Sequence, residues 1–259
     1  MSPKIKTALL PLLLTAVAAS AGERLTIAVP EDTYPPYVIH DNDGEAARGR
    51  LIDPLRRALD ELDIELVLEE LPILRSRPML EAGQLDGRME SSYWAPDAGR
   101  YLWLDVGVWL EDVLLYRNDL TYEPLSLAAL KGSEVIAHLG YRYPTLDPLF
   151  SSGFLTRIDR IDEASMIDSL LHAPEDSQRL MVIERGVWDW YLPNTDIPKH
   201  LSIREGAITV GCAPLQIQLA DTERLRALQP KIQAVIDRQL AGHVNNGCHE
   251  RLSAQHNSD

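Results

Sequence analysis

Two tyrosines in a proline-rich segment are the first residues whose type and spacing indicate chemistry. Tyr34 and Tyr37 lie in residues 31–37 (Glu-Asp-Thr-Tyr-Pro-Pro-Tyr), directly after the apolar residues 25–29. The tandem prolines fix their own φ angles and bias Tyr34 away from the helical region, so the segment is predicted to be an extended loop. Open α/β sheets place ligand contacts in such loops after a buried strand. We therefore predict that Tyr34 and Tyr37 contact a ligand; packing of the loop onto the protein is the alternative.

The chain contains two cysteines, Cys212 and Cys248. In an oxidising compartment such a pair usually forms a disulfide, and closing this span stabilises the fold by roughly 3–4 kcal/mol on loop-entropy reasoning. A metal site is the alternative, because His243 and His249 lie close to Cys248. These residues lack the paired spacing of a structural zinc site. We predict the disulfide and no bound metal.

Motifs of catalysis are missing from the sequence. It contains no Gly-x-Ser-x-Gly elbow, no His-Glu-x-x-His, no phosphate-binding loop and no dinucleotide fingerprint, and its seven histidines are scattered. We therefore predict no catalytic residue and no cofactor.

The N-terminal residues 1–21 have the pattern of a cleaved signal peptide. Lys4 and Lys6 precede an apolar run that is too short to cross a bilayer, and Ala19-Ser20-Ala21 is a small-x-small cleavage site. We expect a periplasmic protein that begins near Gly22, since there is no cysteine near the cleavage point to carry a lipid.

The acidic composition restricts the classes of partner. The formal net charge is −14, and it becomes −16 once Lys4 and Lys6 are removed with the signal peptide. Such a field disfavours nucleic acid and anionic membrane surfaces, although a local arginine can still hold an anion. No second apolar segment is long enough to insert into a membrane. We expect a monomer that binds a small molecule.

Strand and helix patterns alternate along the mature chain, which favours an α/β fold with mainly parallel sheets. The pattern restarts after residue 118, so one α/β unit is interrupted by a second and two strands must cross between them. Strands are predicted at residues 25–29, 64–68, 85–89, 112–117, 134–138, 180–183, 207–210 and 215–219, and helices at 54–62, 73–82, 125–130, 163–171 and 222–240.

Four segments in this order resemble the periplasmic solute-binding proteins of the amino-acid type, family 3. They are residues 25–37, 49–53 (Gly-Arg-Leu-Ile-Asp), 80–89 (Leu-Glu-Ala-Gly-Gln-Leu-Asp-Gly-Arg-Met) and 130–140. The resemblance implies the two-lobe type II periplasmic-binding fold, with a mostly parallel sheet flanked by helices in each lobe and two crossover strands. Residues 22–113 and 211–259 would form lobe 1 and residues 114–210 lobe 2.

The resemblance also implies a set of ligand-binding residues in the cleft between the lobes. Tyr34 matches an aromatic position against the ligand, and Glu31 an acid on the same wall. Gly140 and Tyr141 match a loop that receives a carboxylate, and Glu184 lies near an acid that meets an ammonium group. The remaining candidates of the matched segments are Tyr37, Ser91 and Ser92.

One departure from the family pattern concerns the arginine that clamps the carboxylate of an amino acid. Ala98 occupies its place, and Ile73 stands where an aromatic platform is common. Arg75, Arg100 and Arg142 are the candidates to replace the clamp.

These features predict reversible binding of a small polar solute, amino-acid-like or an organic anion, by hinge closure. The usual consequence in this family is delivery to an inner-membrane ABC permease. Two alternatives remain open: a periplasmic dehydratase acting on prephenate or a related cyclohexadienyl acid, as in a few relatives of the fold, and a sensory or accessory protein without a transporter.

Overall fold

The computed structural model describes residues 22–40, 47–119, 124, 126–174, 177–241 and 248. Among them are short 3-10 helices at Ala98–Arg100, Leu127–Leu130 and Leu192–Asn194. The eight strands of the described residues are β1 (Arg24–Pro30), β2 (Glu65–Leu71), β3 (Gly87–Glu90), β4 (Tyr101–Arg117), β5 (Glu134–His138), β6 (Thr156–Arg160), β7 (Arg179–Glu184) and β8 (Ile203–Ala220). The six α-helices are α1 (Ile52–Glu61), α2 (Ile73–Glu81), α3 (Asp147–Ser151), α4 (Glu163–Leu171), α5 (Arg185–Tyr191) and α6 (Glu223–Leu240).

The strands follow the order β2-β1-β3-β8-β4-β7-β5-β6. In the first half of the sheet β1 pairs in parallel with β2 and β3, and in the second half β5 pairs in parallel with β6 and β7. The two long strands β4 and β8 run antiparallel between the halves, with β3 joined to β8 and β7 joined to β4. The predicted mostly parallel α/β architecture with two crossover strands is confirmed.

The crossover strands are longer than the sequence pattern predicts. The strand predicted at residues 112–117 begins at Tyr101, and residues 207–210 and 215–219 belong to the single strand β8. Gly107 and Pro214 caused the error, because both residue types usually end strands. Gly107 lies at a register shift between β4 and β8, and around Pro214 the strand β8 pairs on one side only, with β4. The lobe boundaries predicted at residues 113 and 210 fall within these strands and stay predictions.

Alternation along the central strands produces apolar packing on both faces of the sheet. Val113 and Leu115 of β4 belong to the largest buried cluster, whereas Leu114 and Tyr116 belong to a second cluster on the opposite face. Strands covered on both faces appear in sequence as continuous apolar runs, as in residues 113–116. The sheet is therefore a rigid support for the loops at its edges.

Most helices lie where the apolar periodicity predicts them. Helix α4 has the predicted bounds, and Gly83, which follows α2, has the left-handed conformation (φ +69°) that glycine favours at the end of a helix. Asp53 and Asp221, the acidic residues directly before the predicted helices at 54–62 and 222–240, are not the N-caps of α1 and α6. Helix α1 begins at Ile52, so Asp53 lies inside it and its carboxylate accepts a hydrogen bond from Gly49 N instead. The cap of α6 is Thr222, whose hydroxyl accepts from Leu225 N.

Several predicted features lie outside the described residues: the signal peptide at 1–21, the histidines His243 and His249, and part of the C-terminal portion of lobe 1. Of the helices in the described part of the chain, none is long and apolar enough to cross a membrane. Cys212 and Cys248 form the predicted disulfide, with an S–S distance of 2.03 Å.

Candidate functional site

One cavity of about 360 Å³ lies where the two halves of the sheet meet. Its walls come from the loop after β1, from α2 and β3 in the first half, from β4, and from the loop after β5 in the second half. The volume falls within the range of small-molecule sites, and a mostly apolar wall with a few polar groups is typical of them. A wider depression of about 770 Å³ around Gly83–Asp86 is more open, and one of its two arginines, Arg224, is already paired with Glu23 and Asp86.

The loop after β1 places Tyr34 against the loop after β5. Tyr34 is buried, and its ring meets the ring of Tyr141 edge-on with centroids 6.0 Å apart. Tyr141 stacks in turn on His138, the last residue of β5, at 4.0 Å. Both tyrosines line the cavity. The aromatic contact therefore joins the two halves at the wall of the cavity.

Gly49 holds the tyrosine loop in place. The backbone N–H groups of Arg50 and Leu51 donate to the carbonyl oxygens of Pro36 and Tyr37, which draws the two chain segments together. Gly49 has φ +127°, and a Cβ there would lie 2.4 Å from the carbonyl oxygen of Tyr37. Only glycine accepts both the conformation and the approach.

We expect Gly49→Ala to destabilise the protein by more than about 2 kcal/mol, because it adds backbone strain and a clash with main-chain atoms. The measurement is urea unfolding. Gly83→Ala is the matched control: Gly83 also has positive φ (+69°) but no atom lies within 4 Å of a Cβ there. It is expected to cost roughly 1 kcal/mol. Equal effects of the two substitutions would show that the approach to Tyr37 contributes nothing.

A buried arginine forms the polar wall of the cavity in the first half. Arg88 on β3 is 4% exposed; its Nε donates to Ser76 Oγ at 2.8 Å, and its Nη1 donates to Glu90 Oε2 at 2.7 Å and to Gln218 Oε1 at 3.1 Å. These bonds use three of the five N–H donors of a guanidinium. Among the described residues none accepts from Nη2 of Arg88. This cation therefore retains donors for an anion.

Arg77 on α2 and Arg142 in the loop after β5 also line the cavity. Arg77 is partly buried and lies 4.0 Å from Glu90, and Arg142 is more exposed and lies 4.0 Å from Asp147. Arg77 and Arg88 together outweigh Glu90 by one positive charge. The first half of the cavity can therefore attract an anionic group.

Buried carboxyl groups lie on the other side of the cavity. A small adjoining pocket, lined by Asp112, Glu163 and Glu184, shares four residues with the main cavity. Burial away from water, followed by the like charges of Glu184 and Glu111, raises the pKa of Asp112 to about 7. Burial likewise raises the pKa of Glu163 to about 7, against the opposing effect of a backbone hydrogen bond. The site is thus basic on one side and acidic on the other.

Glu184 is held by the protein itself. Its carboxylate caps α5 by accepting from Val187 N at 2.9 Å, and it also accepts from Glu111 N at 3.3 Å. Burial raises its pKa, while backbone hydrogen bonds from Gly186, Val187 and Glu111 oppose that shift. Tyr37 lies beside it, and burial and the carboxylate of Glu184 raise the pKa of the Tyr37 hydroxyl.

Comparison with known proteins finds similarity in solved structures and none in sequence families. No protein-family model matches the sequence, and a search of curated proteins finds no significant match. An ancestral arginine-binding protein bound to arginine matches with a TM-score of 0.67, 15% identity and coverage of 88% of this chain and 97% of that one. The substrate-binding protein of an amino acid ABC transporter matches with a TM-score of 0.64, 16% identity and 85% and 95% coverage.

A third structure is an ancestral amino acid-binding protein, AncCDT-1, described as a precursor of cyclohexadienyl dehydratase. Its TM-score is 0.63, with 16% identity and coverage of 88% of this chain and 94% of that one. This chain has the two-lobe, type II periplasmic-binding fold. The resemblance found in the sequence is confirmed at the level of the fold, because the matching structures are amino-acid-binding proteins.

The type II fold brings about half of the predicted site residues to the cavity between its lobes. Gly140 has φ +82°, and a Cβ there would lie 2.9 Å from the side chain of Leu74 on α2. This close approach is one of the contacts between the lobes. The predicted residues that line the main cavity are Tyr34, Ser91, Gly140, Tyr141 and Arg142.

The other predicted residues lie elsewhere in the type II fold. Glu31 lines a neighbouring depression of about 260 Å³, and Glu184 lines the adjoining acidic pocket. Ser92 donates its N–H to Gln216 Oε1, and Arg100 lies 4.0 Å from Asp97 on the surface. The described cavities are not lined by Tyr37, Arg75, Ser92 or Arg100.

Sequence reasoning missed the two charged residues most deeply buried at the main cavity, Arg88 and Asp112. The position of Arg88 could have been recognised, because it stands between Gly87 and Met89 in a buried strand. A charge at such a position requires partners. No local pattern in the sequence indicates that Asp112 is buried. It stands at the end of an alternating apolar segment, a position where a surface residue is equally common. No group of three or more His, Cys, Asp or Glu residues suited to a metal occurs in the described part of the chain.

Proposed function

We propose that this protein reversibly binds a small polar solute, amino-acid-like or an organic anion, by closing its lobes around it. One observation carries the proposal: the cavity between the lobes is lined from both sides and contains a buried arginine with two N–H donors left for a ligand. A site of this size with few, well-placed polar groups suits a small solute.

Closure needs contacts from both lobes to one ligand. The loop after β1 and α2 lie on one side, and the loop after β5 lies on the other, where Tyr141 and Gly140 already approach Tyr34 and Leu74. A ligand that touches both sides stabilises the closed arrangement by its differential affinity for that state. The lobes in this proposal are residues 22–113 with 211–259, and residues 114–210.

The anionic group of the solute binds at Arg77 and Arg88, with Arg142 closing from the second lobe. These residues replace the clamp that is missing at Ala98. Arg88 is fixed by Ser76, Glu90 and Gln218, so little side-chain entropy is lost when it binds a carboxylate. An arginine held in this way is a better anion site than an exposed one such as Arg100.

Uptake is the cellular role that fits best. A protein of the same fold is the substrate-binding component of an amino acid ABC transporter, and a signal peptide at residues 1–21 would deliver this chain to the periplasm. We propose that it is a monomer that passes its solute to an inner-membrane permease. A sensory role without a permease predicts instead that the closed form docks onto another membrane protein. A pull-down with and without solute distinguishes this role from transport.

The dehydratase alternative is not favoured by the matching structures, which are described as binding proteins. The ancestral protein that preceded a cyclohexadienyl dehydratase is itself described as amino acid-binding. Incubation of the purified protein with prephenate, followed by detection of phenylpyruvate, separates the two functions. Product formation at a rate that depends on Asp112 would replace binding by catalysis as the function.

Thermal-shift screening of the mature protein against amino acids, opines, polyamines and organic acids tests the proposed function. A solute at 100 times its dissociation constant adds about 2.7 kcal/mol of stability. For a chain of this size this corresponds to a rise in Tm of roughly 5–10 °C. If no compound of these classes shifted the melting temperature, the proposal would be refuted.

We expect Arg88→Lys to weaken binding of any anionic hit at least about tenfold, because lysine keeps the charge but lacks the planar fork of donors. Isothermal titration calorimetry gives the dissociation constants, and the Tm of the free variant verifies folding. Arg57→Lys, on the exposed face of α1, is the matched control and should leave affinity unchanged. An unchanged affinity in Arg88→Lys would remove Arg88 from the site.

A further inference from the structure

Exposed apolar side chains cluster at one depression of the cleft between the lobes. The described residues include six large apolar side chains that are exposed, and three of them, Leu74, Leu139 and Ile161, line the same depression of about 260 Å³. Their exposed fractions are 62%, 43% and 68%. Residues 71–73, which are apolar and partly buried, line it as well. Exposed apolar residues that are scattered singly are ordinary, whereas a cluster of them usually marks a binding surface.

This outer depression lies farther from the crossover strands than the main cavity does. The main cavity is lined by Leu110 of β4 and Leu215 of β8, whereas none of the described residues that line the outer depression belongs to either strand. Leu139 and Ile161 directly follow β5 and β6, and residues 71–74 lie at the junction of β2 and α2. Strands β2 and β6 are the outermost strands of the sheet. The outer depression is therefore the part of the cleft away from the hinge.

The outer depression borders directly on the main cavity. Tyr34, Ile73, Leu74 and Tyr141 line both spaces. Leu74 reaches across the cleft to Gly140, where a Cβ would lie 2.9 Å from its Cδ2. Leu74 is largely exposed, and an exposed side chain changes rotamer within picoseconds to nanoseconds. A chain that begins in the main cavity can therefore move Leu74 aside and continue into the outer depression.

Charge is distributed unevenly between the two spaces. The main cavity contains Arg77 and Arg88, but the described residues that line the outer depression include no arginine or lysine. Its acids Glu31 and Asp32 are exposed and stay hydrated, so they would contribute little to holding a cation. An uncharged hydrocarbon chain, in contrast, removes exposed leucine and isoleucine surface from water. The cleft thus offers one region to an anionic group and another to an apolar chain.

We propose that the outer depression is a second subsite, which binds an apolar chain of the solute while the anionic group of the same molecule lies at Arg77 and Arg88. This inference rests on the proposed function and deepens it, since it restricts the solute to carboxylates or amino acids that carry an apolar chain. Leu74 contacts that chain from the first lobe, and Leu139 and Ile161 contact it from the second. A long chain therefore bridges the lobes at a second place and stabilises their closure.

Two homologous series test the subsite: straight-chain monocarboxylates from butanoate to decanoate, and L-2-amino acids from 2-aminobutanoate to 2-aminodecanoate. Isothermal titration calorimetry, at concentrations where the acids do not form micelles, gives the dissociation constants. In the series that binds, each methylene that leaves water for an apolar site should raise the affinity about three- to fourfold. The rise should stop at the length at which the chain extends past the outer depression.

A dicarboxylate of the same length provides an independent test. Octanedioate differs from octanoate by a second carboxylate at the far end of the chain. That carboxylate would lie among apolar side chains and near the acid Glu163, where no cation of the depression can pair with it. We expect octanedioate to bind at least about tenfold more weakly than octanoate, because a charge in such a place loses its hydration without gaining a partner.

The double variant Leu139→Ser, Ile161→Ser removes apolar surface from the outer depression and leaves the lining of the main cavity intact. Affinity for decanoate, or for its 2-amino analogue, should fall at least about tenfold, whereas affinity for the shortest homologue should change less than about twofold. Leu192→Ser, at an exposed leucine that lines none of the described cavities, is the matched control and should bind every homologue as the wild type does.

The outcomes separate this inference from the proposed function. If affinity does not rise with chain length, or if octanedioate binds as tightly as octanoate, the second subsite is refuted while solute binding stands. The subsite is also refuted alone if neither series binds but another compound of the thermal-shift screen does. If no compound binds, the proposed function and the inference fail together. The chain-length series on the wild type decides the question even if the double variant does not fold.

Discussion

Asp112→Asn is expected to stabilise the ligand-free protein at pH 8, and the gain should shrink at low pH. The pKa of Asp112 is raised from 3.8 to about 7 in the folded protein. Each pKa unit corresponds to about 1.4 kcal/mol, so ionisation of this group costs the fold on the order of 4 kcal/mol above pH 7. Asparagine does not incur this cost, although it keeps nearly the same shape.

The sign follows from proton binding. Between pH 4 and pH 7 the folded protein keeps the proton of Asp112 while the unfolded chain has lost it, so the free energy of unfolding decreases as the pH rises through this window. The cost is absent below the unfolded pKa and complete above the folded one. Glu163, whose pKa is raised to about 7, acts in the same direction, whereas burial lowers the pKa of His138 and acts in the opposite direction.

The difference between wild type and variant isolates Asp112 from these other groups. We expect the difference in unfolding free energy to grow by roughly 3 kcal/mol between pH 5 and pH 8, which corresponds to a Tm difference of roughly 5–10 °C. Melting curves across this range provide the measurement. Glu69→Gln should show a curve parallel to that of the wild type, and a constant difference for Asp112→Asn would show that Asp112 is not buried as an isolated acid.

Loss of the disulfide is the second large effect. Cys212 lies in β8 at the crossover, and Cys248 follows α6, so the bridge ties the chain beyond α6 to one of the two crossover strands. The two residues are 36 positions apart in the sequence. Closing a loop of this length removes about 4 kcal/mol of entropy from the unfolded chain. The double variant Cys212→Ala, Cys248→Ala should be less stable by that amount.

Urea unfolding of the oxidised wild type, the reduced wild type and the double variant tests the bridge. Reduction should lower the unfolding midpoint of the wild type to that of the variant and should leave the variant itself unchanged. An oxidised wild type with the same midpoint as the variant would show that the bridge contributes no stability. The binding site should survive in the variant, since neither cysteine lines the main cavity.

The crossover strands show where sequence periodicity was insufficient. Residues 112–117, 207–210 and 215–219 were predicted as strands, but Gly107, Gly211 and Pro214 interrupted the pattern. In the folded chain β4 and β8 pair with each other over almost their whole length. The register shifts at Gly107 and beside Gly211, whereas Pro214 pairs in register with Trp109. Strand β6 and helix α3 were missed because neither carries a clear apolar repeat.

The candidate site was predictable where function depends on backbone shape. The proline-rich loop with Tyr34 and the loop with Gly140 and Tyr141 come together at the cavity because each follows a buried parallel strand at the same edge of the fold. Arg75 and Arg100 illustrate the opposite case. Their spacing suggested a clamp, but a charged residue on a helix or turn faces solvent as readily as a cleft, and here both are exposed.

By itself, the sequence determined the α/β class, the order of most elements, the cysteine pair and the aromatic loop. Each of these follows from local chemistry: apolar periodicity, proline geometry and the count of thiols. Only the tertiary structure decided which charges meet in the cavity. Arg88 obtains its partners from residues 12 and 130 positions away. Asp112 faces another acid rather than a cation, because the strand order places Glu184 of β7 opposite it. Burial and charge pairing depend on the strand order, which no local pattern encodes.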